Sequence, residues 1–368
     1  MGLESAGWDV IFSTDIDSES CITLQRGKDQ ARKHGKCLLE NTVVHRSDIA
    51  ELESRFILSM TDMKKGEIDL LAGGPPCQSF SVFGKRSGLD DERGKLVFEY
   101  IRLIKELKPK AFVFENVPGI TTADGGKAWE QIKTQLERPA PSLRYYLNEF
   151  KLEATNYLVP QNRDRVFVIG SLGKIDMKPP PFWSVDSPKN GTLQIRSVLN
   201  AFSGLSAHGA PYSVWPKNRR QRNHSQRIID RYAGLDYGER DSHTRINKLH
   251  PDKPSFTIIV GSNKGGGKGH VHPFEPREVT PRESARIQTF PDWWAFSGGV
   301  RHEIRQIGNA VPPLLGAAVG NAIRHQVFGY EEVPLLDILT ELDQKHLLDK
   351  QELTQLQTNK AQALHSNM

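Results

Sequence analysis

The sequence predicts an α/β fold built on a mostly parallel sheet, with a second, smaller domain. In the first two-thirds of the 368 residues, short apolar segments typical of strands alternate with helix-like segments, which is the pattern of βαβ units. After Gly170 the sequence becomes rich in Gly, Ser and Pro up to about Pro216, as expected where one domain gives way to another. The chain length also favours roughly two domains.

Four strands and one helix are predicted in the first part of the chain. The helix covers residues 95–107, where Val97, Ile101 and Ile104 recur on one face. The strands are Trp8–Ser13 leading to Asp15, Ile68–Ala72, Ala111–Phe114 and Arg165–Gly170. The third strand is apolar at every position, which is typical of a parallel strand covered on both faces.

The later elements divide the chain into four parts. These are a main domain of residues 1–172, a smaller domain of residues 173–277, a returning segment of residues 278–330 that completes the main domain, and a polar C-terminal part, 331–368. A strand is predicted at Thr257–Val260, a helix after the capping residue Thr280, and a second helix at residues 314–328. The C-terminal part, with its recurring leucines, predicts either a docked or partner-binding amphipathic helix or a frayed tail.

Composition narrows the class of protein. There are three cysteines, an odd number, with no C-x-x-C pair and no secretory signal. This usage favours a reducing cytoplasm and argues against a disulfide framework or a metal site. No apolar run approaches the roughly 18 residues of a membrane span.

The excess of positive charge is concentrated in one segment. Residues 217–253 hold ten Lys and Arg against five Asp and Glu, which matches the net charge of +5 for the whole chain. Aromatic residues such as Trp215 and Tyr232 are interleaved with these cations. Such a pattern indicates a surface that contacts phosphates, and the alternative is a solvated charged face.

Cys77 is the first candidate for chemistry. It follows the predicted strand Ile68–Ala72 and is preceded by two glycines and two prolines, which form tight and stiff turns. Ligands bind at this edge of an open α/β sheet, so Cys77 is a candidate nucleophile. The alternative is a small buried residue without reactivity.

Charged side chains mark further candidate positions. Glu115 follows the strand Ala111–Phe114 directly, where a carboxylate can act on a ligand or cap a turn. Arg163 and Arg165 alternate, so an extended backbone points both to one face, where they hold an anion or a base carbonyl, or form an exposed ion-pair patch. Asp15 ends the first strand and is a candidate for a ribose hydroxyl.

Taken in order, the motifs resemble the cytosine-5 DNA methyltransferase family of the restriction–modification type. The resemblance covers about nine-tenths of the chain and rests on five segments, which are Gly73–Ser81, Glu115–Val117, Gln161–Arg165, Thr280–Asp292 and Gln306–Pro313. It implies a Rossmann-like sheet of the S-adenosylmethionine-dependent methyltransferase type, with residues 173–277 as the target-recognition domain.

The resemblance also implies a reaction. Cys77 would add to C6 of a flipped-out cytosine, because a covalent adduct makes C5 nucleophilic. Glu115 would bind the N3 and N4 edge of the base, and Arg165, supported by Arg163, would orient its carbonyl. The methyl donor would be S-adenosylmethionine.

Cofactor and DNA contacts are carried over in the same way. The residues expected to bind S-adenosylmethionine are Asp15, Ile16, Asp48, Ile49, Pro76, Leu96 and Asn309, and those expected to bind DNA are Ser81, Arg219, Arg220 and Arg222. The implied partner is double-stranded DNA, within a system that includes a cognate restriction endonuclease, and the protein is expected to be a monomer in the bacterial cytoplasm.

One family motif is missing. The family opens with a strand and a glycine-rich turn for the methionine part of the cofactor, whereas this chain begins with the helix that follows that turn. Three explanations stay open: an internal start, a segment supplied by another polypeptide, or an inactive member. A related tRNA cytosine-5 methyltransferase is an alternative function.

Overall fold

The computed structural model describes residues 1–76, 92–183, 195–205, 222–258, 260 and 267–366. The strands are β1 (Phe12–Asp15), β2 (Val43–Arg46), β3 (Leu70–Gly73), β4 (Ala111–Asn116), β5 (Tyr146–Glu153) and β6 (Asp164–Ser171). The helices up to β5 are α1 (Gly2–Ser5), α2 (Ser18–Lys33), α3 (Ser54–Thr61), α4 (Glu92–Leu107) and α5 (Lys127–Glu137). Those after β6 are α6 (Val198–Phe202), α7 (Gln226–Ala233), α8 (Pro281–Ile287), α9 (Val300–Asn309), α10 (Pro313–Phe328), α11 (Leu335–Glu341) and α12 (Lys350–Ser366). Segments of 3-10 helix occupy Pro118–Gly126, Ala154–Tyr157 and Lys345–Leu347.

The predicted α/β class is confirmed, and the strands form two sheets. In the larger sheet the order is β3-β4-β6-β5, with β3 and β4 parallel and the other two pairs antiparallel. β1 and β2 form a separate parallel pair. The sheet is mixed because only residues 154–163 link β5 to β6, fewer than the dozen or so that a parallel crossover needs.

Apolar layers cover both faces of the larger sheet. Phe112 and Phe114 of β4 point to one face and pack with α4 and α5. Val113 points to the other face and packs with Ile169 of β6 and with α10. Side chains of a strand alternate between faces, so a strand covered on both sides is apolar throughout. This accounts for the run Ala111–Phe114.

The first strand is shorter than predicted, because Trp8 belongs to a different layer. The Trp8 indole Nε1 donates a hydrogen bond of 2.9 Å to the carbonyl of Gly320 in α10. Its ring meets the edge of Phe328 at 5.5 Å between centroids. The prediction of a strand from Trp8 was wrong by four residues, since β1 begins at Phe12.

The strand predicted at Thr257–Val260 is wrong for the residues that the structure describes there. Thr257 Oγ1 donates to the carbonyl of Asn162, and the Ile258 amide donates over 3.2 Å to the Gln161 side chain. These polar groups are therefore satisfied by the segment before β6 rather than by a neighbouring strand.

The C-terminal part is folded onto the core. Ile338, Leu339, Leu342 and Leu347 are fully buried in the same apolar cluster as α10. The frayed-tail alternative is therefore wrong for residues 331–349, while the exposed side of α12 keeps its polar character. Among the described helices, none has the length and apolar character of a membrane-crossing segment.

The helix predicted after Thr280 is confirmed together with its cap. The Thr280 hydroxyl accepts a hydrogen bond from the Glu283 amide, and the Glu283 carboxylate accepts one from the Thr280 amide. Arg277 binds the same carboxylate through two contacts of 2.8 and 2.9 Å. This reciprocal cap satisfies two amides that the first helical turn leaves free.

Replacing Thr280 with alanine should destabilise the protein by about 1–2 kcal/mol, because the Glu283 amide loses its acceptor in a buried site. Thermal unfolding followed by circular dichroism measures the change. Thr280→Ser keeps the hydroxyl and is the matched control, with a smaller expected loss. Equal melting temperatures for Thr280→Ala and the wild type would contradict the role of the cap.

Candidate active site

A cavity opens at the carboxyl ends of β3 and β4. Its volume is about 460 Å³, within the roughly 300–1,000 Å³ of small-molecule sites. It is lined by Met1, Gly2, Leu3, Leu24, Ala72, Gly73, Gly74, Val113, Glu115, Phe167, Phe290, Trp294, Asn309, Ala310, Val311, Pro313, Gly316 and Val319. Two residues singled out from the sequence, Glu115 and Asn309, therefore share one cavity.

The Glu115 carboxylate lies in the wall of this cavity and is paired with Arg165. Arg165 Nε lies 2.8 Å from Glu115 Oε1, and both side chains are largely buried. The antiparallel register brings them together, since Asn116 of β4 pairs with Val166, the neighbour of Arg165. The pair is buried, so an exposed ion-pair patch does not describe Arg165.

Burial raises the pKa of Glu115 above its ordinary value, although the guanidiniums of Arg165 and Arg163 act in the opposite direction. Removal from water is the larger effect, because it penalises the charged carboxylate. Glu115 therefore holds a proton at higher pH than a solvated glutamate would, and its acid form can donate to a ligand nitrogen.

Arg163 has a different set of partners from Arg165. It is 1% exposed, and its Nη2 donates to the carbonyls of Gly308 and Ala310 over 2.8 and 2.9 Å. Burial lowers the pKa of Arg163, but a guanidinium stays charged at neutral pH. Arg163 thus holds the turn that carries Asn309 at the cavity.

A buried pair of glutamine side chains also holds the Asn309 turn. The sequence motifs alone did not assign a function to this pair. The Gln161 side chain donates to Gln288, which itself donates to the carbonyls of Ile307 and Ala310 over 3.0 and 2.7 Å. Both glutamines are 0% exposed. Because buried amides must be satisfied, the pair fixes the segment before β6 against α8 and the Asn309 turn.

The chain leading to Cys77 is fixed beside Glu115. Asn116 donates from Nδ2 to the carbonyl of Pro75 over 2.9 Å. A β-carbon placed on Gly74 would lie 2.7 Å from Glu115 Oε2, so any larger residue would force the carboxylate to shift, whereas glycine leaves it in place. Asn116 is a residue whose role the sequence did not reveal, although it stands next to Glu115 in the same motif.

Four of the candidate residues cannot be placed. Cys77, Ser81, Arg219 and Arg220 lie outside the described residues. Arg222 is described, and its Nη1 contacts both carboxylate oxygens of Glu278 at 2.9 and 2.8 Å. A role of Arg222 toward DNA stays a prediction, and in this structure its charge is matched within the protein.

The residues expected to hold a nucleoside lie together at the edge of the smaller sheet. Parallel pairing of β1 with β2 matches Asp15 to Arg46, which brings the following Ile16 and Asp48 to the same end. Ile16 is 60% exposed, and burial raises the pKa of Asp15. Asp17 has a structural role instead. Its side chain caps α2 and forms an ion pair of 2.7 Å with Arg305.

The other residues expected at the cofactor are distributed around the sheets. Ile49 is half-buried against the apolar cluster that also contains Leu71 of β3. Leu96 is half-buried in α4, and Pro76 is exposed at the end of the described loop. Of these residues and Asn309, only Asn309 lines the cavity as the described residues form it.

Comparison with protein families finds a match to the model described as C-5 cytosine-specific DNA methylase, over residues 1–325. Among curated proteins, the type II methyltransferase M.PspPI of Psychrobacter is 35% identical over 338 residues, covering 88% of this chain and 75% of the relative. The type II methyltransferase M.NgoFVII of Neisseria gonorrhoeae is 29% identical and covers 98% of this chain and 92% of its own.

Solved structures share the fold. An Escherichia coli prophage-encoded protein described as a DNA modification methyltransferase matches with a TM-score of 0.68 and 26% identity, covering 89% of this chain and 95% of that one. The Dnmt2 methyltransferase of S. pombe matches with a TM-score of 0.54 at 16% identity, covering 88% and 95%. At that identity the second likeness concerns the fold alone.

Proposed function

The chain belongs to the C-5 cytosine-specific DNA methylase family, and we propose that it methylates C5 of a cytosine in a specific duplex DNA sequence by way of a Cys77–C6 adduct. The observation that carries this proposal is the buried Glu115–Arg165 pair beside the loop leading to Cys77. An acid and a guanidinium at this distance match the hydrogen-bonding edge and the carbonyl of a cytosine.

Cys77 supplies the nucleophile. C5 of cytosine is weakly nucleophilic, and addition of a thiolate to C6 removes the C5–C6 double bond and makes C5 the nucleophilic carbon of an enamine formed with C4 and its amino nitrogen. C5 then takes the methyl group, a proton leaves C5, and the bond between C6 and the Cys77 sulfur breaks to restore the ring. Positive charge from arginines near the base would favour the thiolate form of Cys77.

Glu115 and Arg165 act on the base. The raised pKa of Glu115 favours the acid form that donates to N3, which offsets the negative charge that develops as C6 is attacked. Arg165 holds the Glu115 carboxyl and would donate to the base carbonyl. Arg163 would act indirectly, by holding the Asn309 turn through the carbonyls of Gly308 and Ala310.

The methyl donor that the family requires fits the residues present, and we assign it as S-adenosylmethionine, which supplies an electrophilic methyl group when bound. Asp15 and Asp48 offer carboxylates to ribose and amino groups at one sheet edge. The exposed Ile16 offers an apolar face to an adenine. The rest of the S-adenosylmethionine molecule would lie between the Asn309 end of the cavity and the close-packed Gly73–Gly74 segment.

Double-stranded DNA is the proposed macromolecular partner. The target base must leave the stack to reach a buried acid such as Glu115. Residues 173–277 would read the sequence, with Ser81, Arg219, Arg220 and Arg222 on phosphates or bases. We further propose that the protein is a monomer in the bacterial cytoplasm. It would belong to a system that also includes a cognate restriction endonuclease.

Transfer of tritiated methyl groups from S-adenosylmethionine to duplex DNA or to tRNA tests the substrate class. We expect incorporation into duplex DNA and at least about tenfold less into tRNA, because the family model is one of DNA methylases. Preferential labelling of tRNA would favour the alternative RNA substrate. No transfer to either would favour an inactive or incomplete member.

Alanine at Gly74 should slow turnover by about 10- to 100-fold, because the new methyl group displaces the Glu115 carboxylate from its reacting position. Gly119→Ala is the matched control, since a β-carbon there meets nothing within 4 Å. The measurement is the single-turnover rate with bound DNA. A wild-type rate for Gly74→Ala would show that the carboxylate position is unimportant.

A further inference from the structure

The C-terminal strap, defined as residues 331–366, lies beyond the matched family region and contacts separate parts of the molecule. Lys36, just after α2, donates from Nζ to the carbonyl of Thr340 over 2.7 Å. Asn321 of α10 exchanges hydrogen bonds of 3.1 and 2.9 Å with the backbone of Val333. The strap is therefore anchored to the main domain at two places.

A buried ion pair joins the strap to residues 195–205, in the proposed recognition region. Arg196 Nη2 lies 2.5 Å from Glu352 Oε1, and both side chains are 4% exposed. The other Glu352 oxygen accepts from the Asp349 amide over 2.8 Å, which caps α12. A buried guanidinium is costly unless it is paired, so Arg196 depends on Glu352 to stay in place.

Arg196 precedes Ser197, the capping residue of α6, and α6 is bonded to the rest of the recognition region. The amides of Val198 and Leu199 donate to the carbonyls of Lys253 and Pro251 over 3.0 and 2.9 Å. Two residues further on, the Ser255 amide donates to Pro160 over 2.9 Å. Movement of Arg196 toward water would therefore be transmitted to residues 251–255 and to the segment that precedes β6.

Arg286 of α8 holds the other end of α6. Its Nη1 donates to the carbonyls of Ala201 and Ser203 over 3.1 and 2.8 Å, and it is paired with Asp292. Thus α6 is held at its start by the strap and at its end by the main domain. Only the first of these two attachments comes from outside the family region.

We propose that Glu352 is a positioning residue for DNA recognition. By holding Arg196, the strap fixes α6 and residues 251–253 in the orientation in which the recognition region meets duplex DNA. The proposal rests on the proposed function for the identity of the ligand, but the positioning itself concerns this chain alone.

Glu352→Gln is the variant of choice, because glutamine at this position still caps a helix and only the charge is lost. We expect KM for duplex DNA to rise about tenfold with kcat within about twofold of the wild type. Hydrogen exchange should become faster at residues 198–202 and 251–253. The matched control is Asp337→Asn, which removes a more exposed ion pair with Lys360 inside the same strap and should leave both readouts unchanged.

A lower melting temperature for Glu352→Gln with wild-type KM and wild-type exchange would overturn the proposal, since the pair would then be structural only. If Glu352→Gln does not fold, the double variant Arg196→Met, Glu352→Gln leaves no unpaired charge, keeps the cap on α12 and is measured instead. A raised KM in the double variant supports the proposal, and a wild-type KM overturns it. If the wild type itself does not methylate DNA, the proposed function fails, while the exchange measurement still decides whether Glu352 positions α6.

Discussion

Replacing Cys77 with serine should abolish methyl transfer, with a loss of about 10⁴-fold or more in kcat. A serine hydroxyl has a far higher pKa than a thiol, so almost no alkoxide is present to add to C6. The substitution replaces one sulfur with oxygen and leaves the residues proposed to contact DNA unchanged, so affinity for duplex DNA should stay within about threefold of the wild type. Transfer of a labelled methyl group and filter binding of the same DNA give the two values.

The chain provides a matched control for this experiment. Cys37 is exposed and free, and Cys21 is buried and free. Cys37→Ser should methylate at the wild-type rate, which separates loss of the nucleophile from a general effect of thiol removal. Full activity of Cys77→Ser would exclude the covalent mechanism.

Replacing Glu115 with glutamine should lower kcat by about 10²- to 10⁴-fold. Glutamine keeps the size of the side chain, but its amide is not an acid and supplies no proton to N3. Arg165 also loses the charged partner 2.8 Å away. Single-turnover methylation with saturating DNA measures the effect, and an unchanged rate would remove Glu115 from the reaction.

Stability measurements separate this effect from misfolding. Burial raises the folded-state pKa of Glu115, so the stabilising contribution of its acid form is complete below the unfolded pKa and is lost as the pH rises through the folded pKa. Glutamine stays neutral at every pH. We therefore expect Glu115→Gln to unfold at the same or a higher temperature than the wild type at pH 8, with the difference shrinking toward pH 4.

The position of Glu115 at a sheet edge and the Thr280 helix cap could be predicted because each stands next to a recognisable local pattern. Glu115 follows a strand that is apolar on both faces, and Thr280 begins a proline-led helix with an acid in its first turn. Such signals depend on short-range geometry, which the sequence displays directly. The ion pair of Glu115 with Arg165 follows once both are placed at one sheet edge.

The contacts between residues far apart in the sequence could not be predicted from local patterns. Gln161 and Gln288 are 127 positions apart, and Arg196 and Glu352 are 156 positions apart, so only the tertiary fold brings each pair together. The strand expected at Thr257–Val260 failed for the same reason. Its β-branched residues suit a strand, but Gln161 and Asn162 take its hydrogen bonds.

Bisulfite sequencing of duplex DNA incubated with the purified chain and S-adenosylmethionine tests the central claim most directly. The account predicts cytosines that resist conversion at one recurring sequence and a fully converted product when Cys77→Ser replaces the wild type. Complete conversion of every cytosine after incubation with the wild-type chain would contradict it.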